Sequence, residues 1–404
     1  MRKAMAPLLV TVVVLYSAQQ LLTPVLAPLA RQLRLTETQL GLVITIAAAA
    51  LTVASPLWGS ALRVIGLRAV LLAGLALATL GLAGFAAVAT FGLDGAMSPT
   101  AVFTLMLLTR SLIFGVGLAA LPVAALAVAA TSTAGDAERT RATGLVGAAQ
   151  GVSLVLGPAG GGALAVVSLL LPLYLAPVLA ALLMVWVLVA VRGVRAEPAD
   201  RPHGGGRVRP WDARLWPWFA TGFFLYLSLG LVQVIIGFLI ADRLRLDPQD
   251  TAGAVGIALF TAGLVIVGVQ GALVPALRWS ALRLLRTGTP IAGAAFVLLA
   301  FAQNLFLIAV AFAVLALGLG LAFPGFTAAP TLLVGPEQQG TISGLVNATI
   351  GATFIVGPLL STALYEIRPE IPILAALAAS LAALALVWLS PAARHIQAPV
   401  PERL

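Results

Sequence analysis

The stretch TRSLIFGVG places one charge, Arg110, inside the apolar run 100–130. Counting roughly 1.5 Å per residue from the start of that run puts Arg110 on the order of 15 Å deep, near the middle of a hydrocarbon layer. A guanidinium at that depth has to face protein, water or a ligand. Its planar fork suits two-pronged capture of a carboxylate or phosphate, and its charge can answer a moving proton. The competing reading is a structural arginine bonded to backbone carbonyls.

Uncharged polar side chains form a second set. Tyr16, Gln19 and Gln20 fall in the first apolar run, Gln150 in the fifth, Tyr226 and Gln233 in the seventh, and Asn347 in the eleventh. Amides and phenols inside a bilayer are expected to face partners or a wet cavity rather than lipid. Phe323, Phe326 and Phe354 would add apolar wall to such a cavity. The blander readings are interhelical hydrogen bonds for the polar set and ordinary packing for the phenylalanines. All fourteen acidic residues lie in loops or near the ends of apolar runs, so a proton carrier would have to be an end residue such as Glu37, Asp94, Asp242 or Glu366.

The chain has no cysteine, and both histidines, His203 and His395, sit in polar segments, so no metal site is expected. It also lacks a phosphate-binding loop, so neither ATP nor another cofactor is expected and a proton gradient is the natural energy source. The net charge of +9 is scattered over short loops rather than gathered on one face, which argues against nucleic acid as a partner.

The third set is made of glycines and prolines. Residues 143–158 read TGLVGAAQGVSLVLGP and residues 343–358 read SGLVNATIGATFIVGP. Gly144, Leu145, Val146, Ala148, Gly151, Gly157 and Pro158 recur as Gly344, Leu345, Val346, Ala348, Gly351, Gly357 and Pro358, the mark of a duplication. Gly157, Gly161 and Gly162 bare one helix face for close approach by another backbone, and Pro158 removes a hydrogen bond and bends the helix. In the second copy Ser361 and Thr362 replace the glycine pair, so the two crossings should differ.

These residues need helices across a membrane to hold them. Hydrophobic residues make up 61% of the 404, charged residues only 9%, and mean hydropathy is +1.08. Helices are expected over 7–29, 38–62, 69–91, 100–130, 141–166, 170–191, 214–241, 251–276, 286–303, 305–334, 339–365 and 370–390, each long enough to span. The joints at 303–304 and 168–172 are the weakest. Of 23 basic residues, Arg31, Arg34, Arg243, Arg245 and Arg368 fall on one side, Arg110 within a span, and the rest on the other side. That asymmetry predicts both termini in the cytoplasm. Lys3 is the sole lysine, a composition that fits a GC-rich bacterium and hence a bacterial inner membrane.

The polar, Pro- and Gly-rich segment 192–213 divides the chain into an N-terminal bundle, 1–191, and a C-terminal bundle, 214–392, with a tail over 393–404. LARQLRL at 29–35 recurs as IADRLRL at 240–246, at the ends of the first and seventh spans. The fold expected is therefore all-α and polytopic, with twelve helices in two pseudo-symmetric six-helix bundles. Parallel repeats of this kind are a transporter architecture, with substrate held near the midplane between rocking halves.

On these residues the whole chain resembles the major facilitator superfamily, and in particular its twelve-span drug–proton antiporters. Their fifth-span motif is matched by Gly144, Gly157, Pro158, Gly161 and Gly162, with Ser153 in place of a further glycine. The family's loop signature is matched between spans 2 and 3 by Gly59, Gly66 and Arg68, but Arg63 replaces its aspartate. The resemblance implies that this aspartate latches the outward-facing state, so Arg63 would need another partner, such as Asp136 or Glu138, or serve topology alone. The fourth-span motif is matched by Arg110, Gly115 and Gly117, with the first glycine one residue late and Ile113 in place of a polar residue. The resemblance also implies that spans 1, 5, 7 and 11 face the cavity, and that Gly357 and Pro358 move with the cycle.

The function expected is a non-enzymatic, alternating-access exporter of small amphipathic, anionic or zwitterionic molecules, coupled to protons and active as a monomer. The alternatives are an importer or facilitator of a sugar or organic acid, or a receptor that kept the fold without transport.

Overall fold

The structure is a computed structural model that describes residues 2–131, 136–190, 209, 211–335 and 338–390. Its elements are helices joined by short turns. Ten helices are long and apolar enough to cross a bilayer, and the bent pair Trp216–Gln233 and Ile236–Leu244 supplies another span. One of the ten, Glu37–Leu93, runs for 57 residues, about twice what a bilayer needs. It breaks at Gly66, whose φ of 80° and ψ of 168° suit glycine alone, and its two arms are spans 2 and 3. The total is the twelve spans that the sequence predicts.

In chain order the others are span 1, Ala6–Gln32; span 4, Pro99–Val128; span 5, Leu145–Val167; and span 6, Leu170–Ala190. Span 7 is the bent pair, followed by span 8, Pro248–Leu277; span 9, Ala281–Phe301; span 10, Leu305–Leu333; span 11, Thr341–Ile367; and span 12, Ile371–Leu389. Their ends are fixed by short polar side chains. Thr36 and Gln39 form a reciprocal cap at the start of span 2 (3.2 and 3.0 Å). Asn304 accepts from Leu307 N–H at 2.9 Å and opens span 10, and Ser168 accepts from Leu170 N–H at 3.3 Å between spans 5 and 6, so both weak joints are breaks.

Two expectations need correcting. Span 9 begins at Ala281 rather than 286, because Ser280 caps it (3.3 Å) and its early arginines lie on tryptophans, Arg283 over Trp279 and Arg286 over Trp388. Charged heads on apolar stems can thus occupy the first turns of a span. Span 1 is not one straight helix. It stops at Gln20 and restarts at Thr23, since Pro24 has no N–H to give the Gln20 carbonyl.

By packing, the described residues form two compact units. One holds the chain up to Asp200 together with Ile235–Phe260; the other holds Arg201–Val234 and Thr261 onward. Glycines set the helix spacing in each. In the first, a Cβ on Gly117 of span 4 would stand 2.6 Å from the Ala78 nitrogen of span 3. In the second, a Cβ on Gly288 of span 9 would stand 2.7 Å from the Ala322 nitrogen of span 10. Most of the 192–213 segment and all of the tail lie outside the described residues.

Candidate functional site

Span 4 leaves the α-helix for a π-helical stretch, Leu107–Ile113, with Arg110 in it. A π-turn takes up one more residue than an α-turn and is frequently found at functional sites. It explains why Gly115 comes one residue late in the fourth-span motif. Arg110 is buried, at 7% exposure, and its guanidinium lies 4.6 Å above the Phe114 ring. Among the described residues its Nε has no hydrogen-bond partner. Neighbouring residues anchor the span: Ser111 Oγ donates to the Val43 carbonyl of span 2 at 2.6 Å, and Gly115 lets the Ala47 carbonyl approach. Every described carboxylate in a span lies in its first or last turn, namely Glu37, Asp242, Asp250 and Glu366. Arg110 is therefore a desolvated cation held on an aromatic face with a donor to spare.

In the same unit the structure brings together polar residues of spans 1 and 5. Tyr16 and Gln150 hydrogen-bond side chain to side chain. Ser17 Oγ and Gln19 Oε1 are buried without partners among the described residues. Ser153 donates to the Val13 carbonyl of span 1 at 2.9 Å and to Ala149 at 3.0 Å, so the serine in the glycine's place ties the two spans together. Below it the backbones touch. A Cβ on Gly157 would stand 3.0 Å from Gln20 Cα, and one on Gly161 would stand 2.8 Å from the Leu21 carbonyl carbon. Gly162 faces Gly256 of span 8, where a Cβ would be 2.8 Å from the Gly256 Cα. Pro158 lies within this helix, whereas Gly144 falls among residues whose packing is not described.

The second unit carries the rest of the set in two groups. Tyr226 of span 7 stacks on Phe323 of span 10, with centroids 4.0 Å apart and planes 11° apart, and meets Phe326 edge-on at 6.0 Å. Phe326 is fully buried against Gly222, so it supports Tyr226 from behind rather than lining a cavity as expected. Asn347 and Phe354, seven residues apart on span 11, are exposed, and a Cβ on Gly351 between them would meet nothing within 4 Å. Gln233 is half-buried beside the bend of span 7. Sequence reasoning passed over Gln270, which stands exposed in a second π-helical stretch, Val269–Leu273. Its signal was an amide between Gly268 and Gly271 in an otherwise apolar span.

The loop signature is built around the Gly66 turn. Gly59 is in ordinary contact with Val123 at 4.0 Å, and exposed Arg63 reaches Ser60 Oγ at 3.4 Å. Arg68 Nη2 donates to the Leu188 carbonyl, 2.8 Å away in the last turn of span 6. A cation is well placed there by the helix dipole. Neither arginine meets a carboxylate among the described residues, and the side chains of Asp136 and Glu138 lie outside them.

Twelve apolar spans, repeated halves, glycine-lined crossings and a buried unpaired arginine define a polytopic helical transport protein. The chain belongs to the Major Facilitator Superfamily, whose family model matches residues 8–277 and 218–404. It is a multi-pass membrane transporter and not an enzyme. It is 29% identical over 364 residues to the tetracycline resistance protein, class G, of Vibrio anguillarum, covering 86% of each chain. It is 24% identical over 383 residues to the quinolone resistance protein NorA of Staphylococcus aureus, covering 91% of each. A bacterial homologue of the iron transporter ferroportin, solved in an inward-facing state, superposes with a TM-score of 0.72 at 15% identity, covering 96% of this chain and 98% of that one. The human organic anion transporter MFSD10 gives 0.65 at 18%, covering 96% and 99%.

Proposed function

We propose that this transporter is a proton-driven exporter, with both termini in the cytoplasm of a bacterium, of small amphipathic molecules that carry a carboxylate or comparable anionic group. Efflux is supported by the relatives, two of which are drug resistance proteins. The anionic group is supported by one observation above all: Arg110 is buried over Phe114 with Nε unpaired. A substrate anion would complete that hydrogen bond and offset the desolvated charge. In this reading Tyr16, Gln19, Gln20 and Gln150 would offer the substrate polar contacts from the first half, and Tyr226, Gln233 and Asn347 would offer polar contacts and Phe354 an apolar one from the second. The glycines and prolines of spans 5 and 11, with the Gly59–Arg68 loop, are the parts that shift during alternating access in a monomer.

A second reading, an importer or facilitator of an organic acid, is favoured by the confinement of span carboxylates to first and last turns. Proteoliposomes with an imposed pH gradient separate the two, since the exporter moves an anionic amphiphile uphill and opposite to the proton flow, whereas an importer moves it along with the protons and a facilitator moves it only down its own gradient. Arg110→Ala is expected to lower transport at least about tenfold while the melting temperature moves by less than about 3 °C, the shift of a roughly 1 kcal/mol change. Arg110→Lys keeps the charge but not the fork, and should restore little. Normal transport without Arg110, or activity and melting temperature falling together, overturns the assignment.

A further inference from the structure

At the end of the first unit away from the Gly66 turn, Arg31 of span 1 clasps Asp242 of span 7. Its two terminal nitrogens each take one carboxylate oxygen, Nη1 to Oδ1 and Nη2 to Oδ2, the latter at 2.9 Å. Nη2 also donates to Glu37 at the start of span 2, 3.2 Å away. The guanidinium lies 5.1 Å over the Phe238 ring, one turn before Asp242. Next to the clasp the helices touch, and a Cβ on Gly237 would stand 2.5 Å from that of Ala27.

The repeat register gives this pair its meaning. Aligning LARQLRL with IADRLRL sets Arg31 opposite Asp242 and Arg34 opposite Arg245. The backbone keeps the alignment, since Arg34 and Arg245 both turn left-handed, with φ of 58° and 52°. Two repeat-equivalent positions therefore meet each other, and an unmodified duplication would bring like charges together there. Arginine in one copy and aspartate in the other turns that repulsion into attraction. Exposed ion pairs are usually weak, but two-pronged geometry, a shared second carboxylate and an aromatic face under the cation are the exceptions.

We propose that the Arg31–Asp242 clasp, with Glu37 as second acceptor, is the outer latch of the transport cycle: positioning residues that hold the outer ends of spans 1 and 7 together and part when the outside opens. This rests on the transport reading and on cytoplasmic termini. The chain has no cysteine, so Ala30→Cys, one residue before Arg31 and fully buried, is a clean reporter for a membrane-impermeant maleimide added outside. Arg31→Asp or Asp242→Arg alone should speed labelling about fivefold and lower net transport by a similar factor. Arg31→Asp with Asp242→Arg rebuilds the clasp in reverse, and should bring both readouts back to within about twofold of the parent. Arg31→Gln, which introduces no repulsion, covers the case in which a charge reversal fails to fold, and should speed labelling less. Parental labelling in the single variants, or a folded double swap no better than the singles, overturns the latch. Accelerated labelling, restored by the swap, in a protein that moves no substrate keeps the latch and sinks the transport reading. Labelling only from the cytoplasmic side overturns the outer assignment.

Discussion

Span 5 crosses span 1 through Gly157 and Gly161, and span 11 crosses span 7 through the repeat-equivalent Gly357 and Ser361. At the first crossing there is no room for a methyl group, since added Cβ atoms would stand 3.0 Å from Gln20 Cα and 2.8 Å from the Leu21 carbonyl carbon. At the second, a Cβ on Gly357 would stand 3.6 Å from Gly230 Cα, an ordinary contact. What replaces backbone contact there is a hydrogen bond. Ser361 Oγ donates to the Leu231 carbonyl, the acceptor that Ile235 N–H would use in an unbroken helix, and span 7 breaks at Val234–Ile235 and bends by 43°. Span 1 breaks at the matching place through Pro24, a covalent cause worth about 3 kcal/mol in a helix interior. A single hydrogen bond is worth about 1 kcal/mol net. The duplication thus kept two kinked crossings but fixed one with a proline and glycines, and left the other to an exchangeable bond.

The largest effect should come from bulk at the tight crossing. Gly161→Leu and Gly157→Leu force backbones apart, an overpacking cost of about 3 kcal/mol or more. Transport by either variant should drop at least about tenfold in protein that still inserts and elutes as a single species. Parental rates in folded Gly157→Leu protein would break the comparison at its first half. Alanine sharpens it: Gly157→Ala should cost about 1–3 kcal/mol in melting experiments and Gly357→Ala less than about 0.5 kcal/mol. Equal costs would mean that the two crossings do not differ. Pro158→Ala comes next, because it restores an N–H and straightens the helix that carries Gly157 and Gly161 past span 1. It should slow interconversion about threefold, measured as exchange of labelled substrate, with little change in insertion.

Much of this is legible in the sequence. Composition and charge carried the spans, because a bilayer imposes length and apolarity on every crossing segment. The repeated Gly and Pro positions announced the two crossings, and Ser361 and Thr362 announced that they would differ. Other features depend on contacts that no local pattern encodes. Phe326 reads as cavity wall, yet it is buried because Gly222, distant in sequence, leaves a space for its ring. The Arg31–Asp242 clasp joins residues 211 positions apart, and its only trace was one inverted charge in the echoed heptapeptides. The late glycine after Arg110 was visible, but its cause, a π-turn, was not. Pro24 was in view inside span 1, and apolar continuity on both sides hid the break.

The smallest predicted effect tests the looser crossing, and its sign is the informative part. Ser361→Ala removes one hydroxyl and leaves Gly357 as it is. If Ser361 were only glue, its loss would loosen span 7, and the amides of 234–237 would exchange faster with solvent deuterium. If instead the hydroxyl competes for the Leu231 carbonyl, its loss returns that acceptor to Ile235 N–H, and span 7 regains a helical hydrogen bond. Those amides should then exchange about threefold to fivefold more slowly, in keeping with a bond worth about 1 kcal/mol. Transport should fall about twofold, because a straighter span 7 meets span 11 at an angle the kinked helix avoids. Ser361→Gly carries the test further, since it gives the second crossing the residue of the first. Without Pro24's counterpart to hold a kink, it should behave like Ser361→Ala in exchange. Faster exchange in either variant would show that the hydroxyl supports the helix rather than breaking it, and that the two crossings owe their kinks to something other than the contrast between proline and serine.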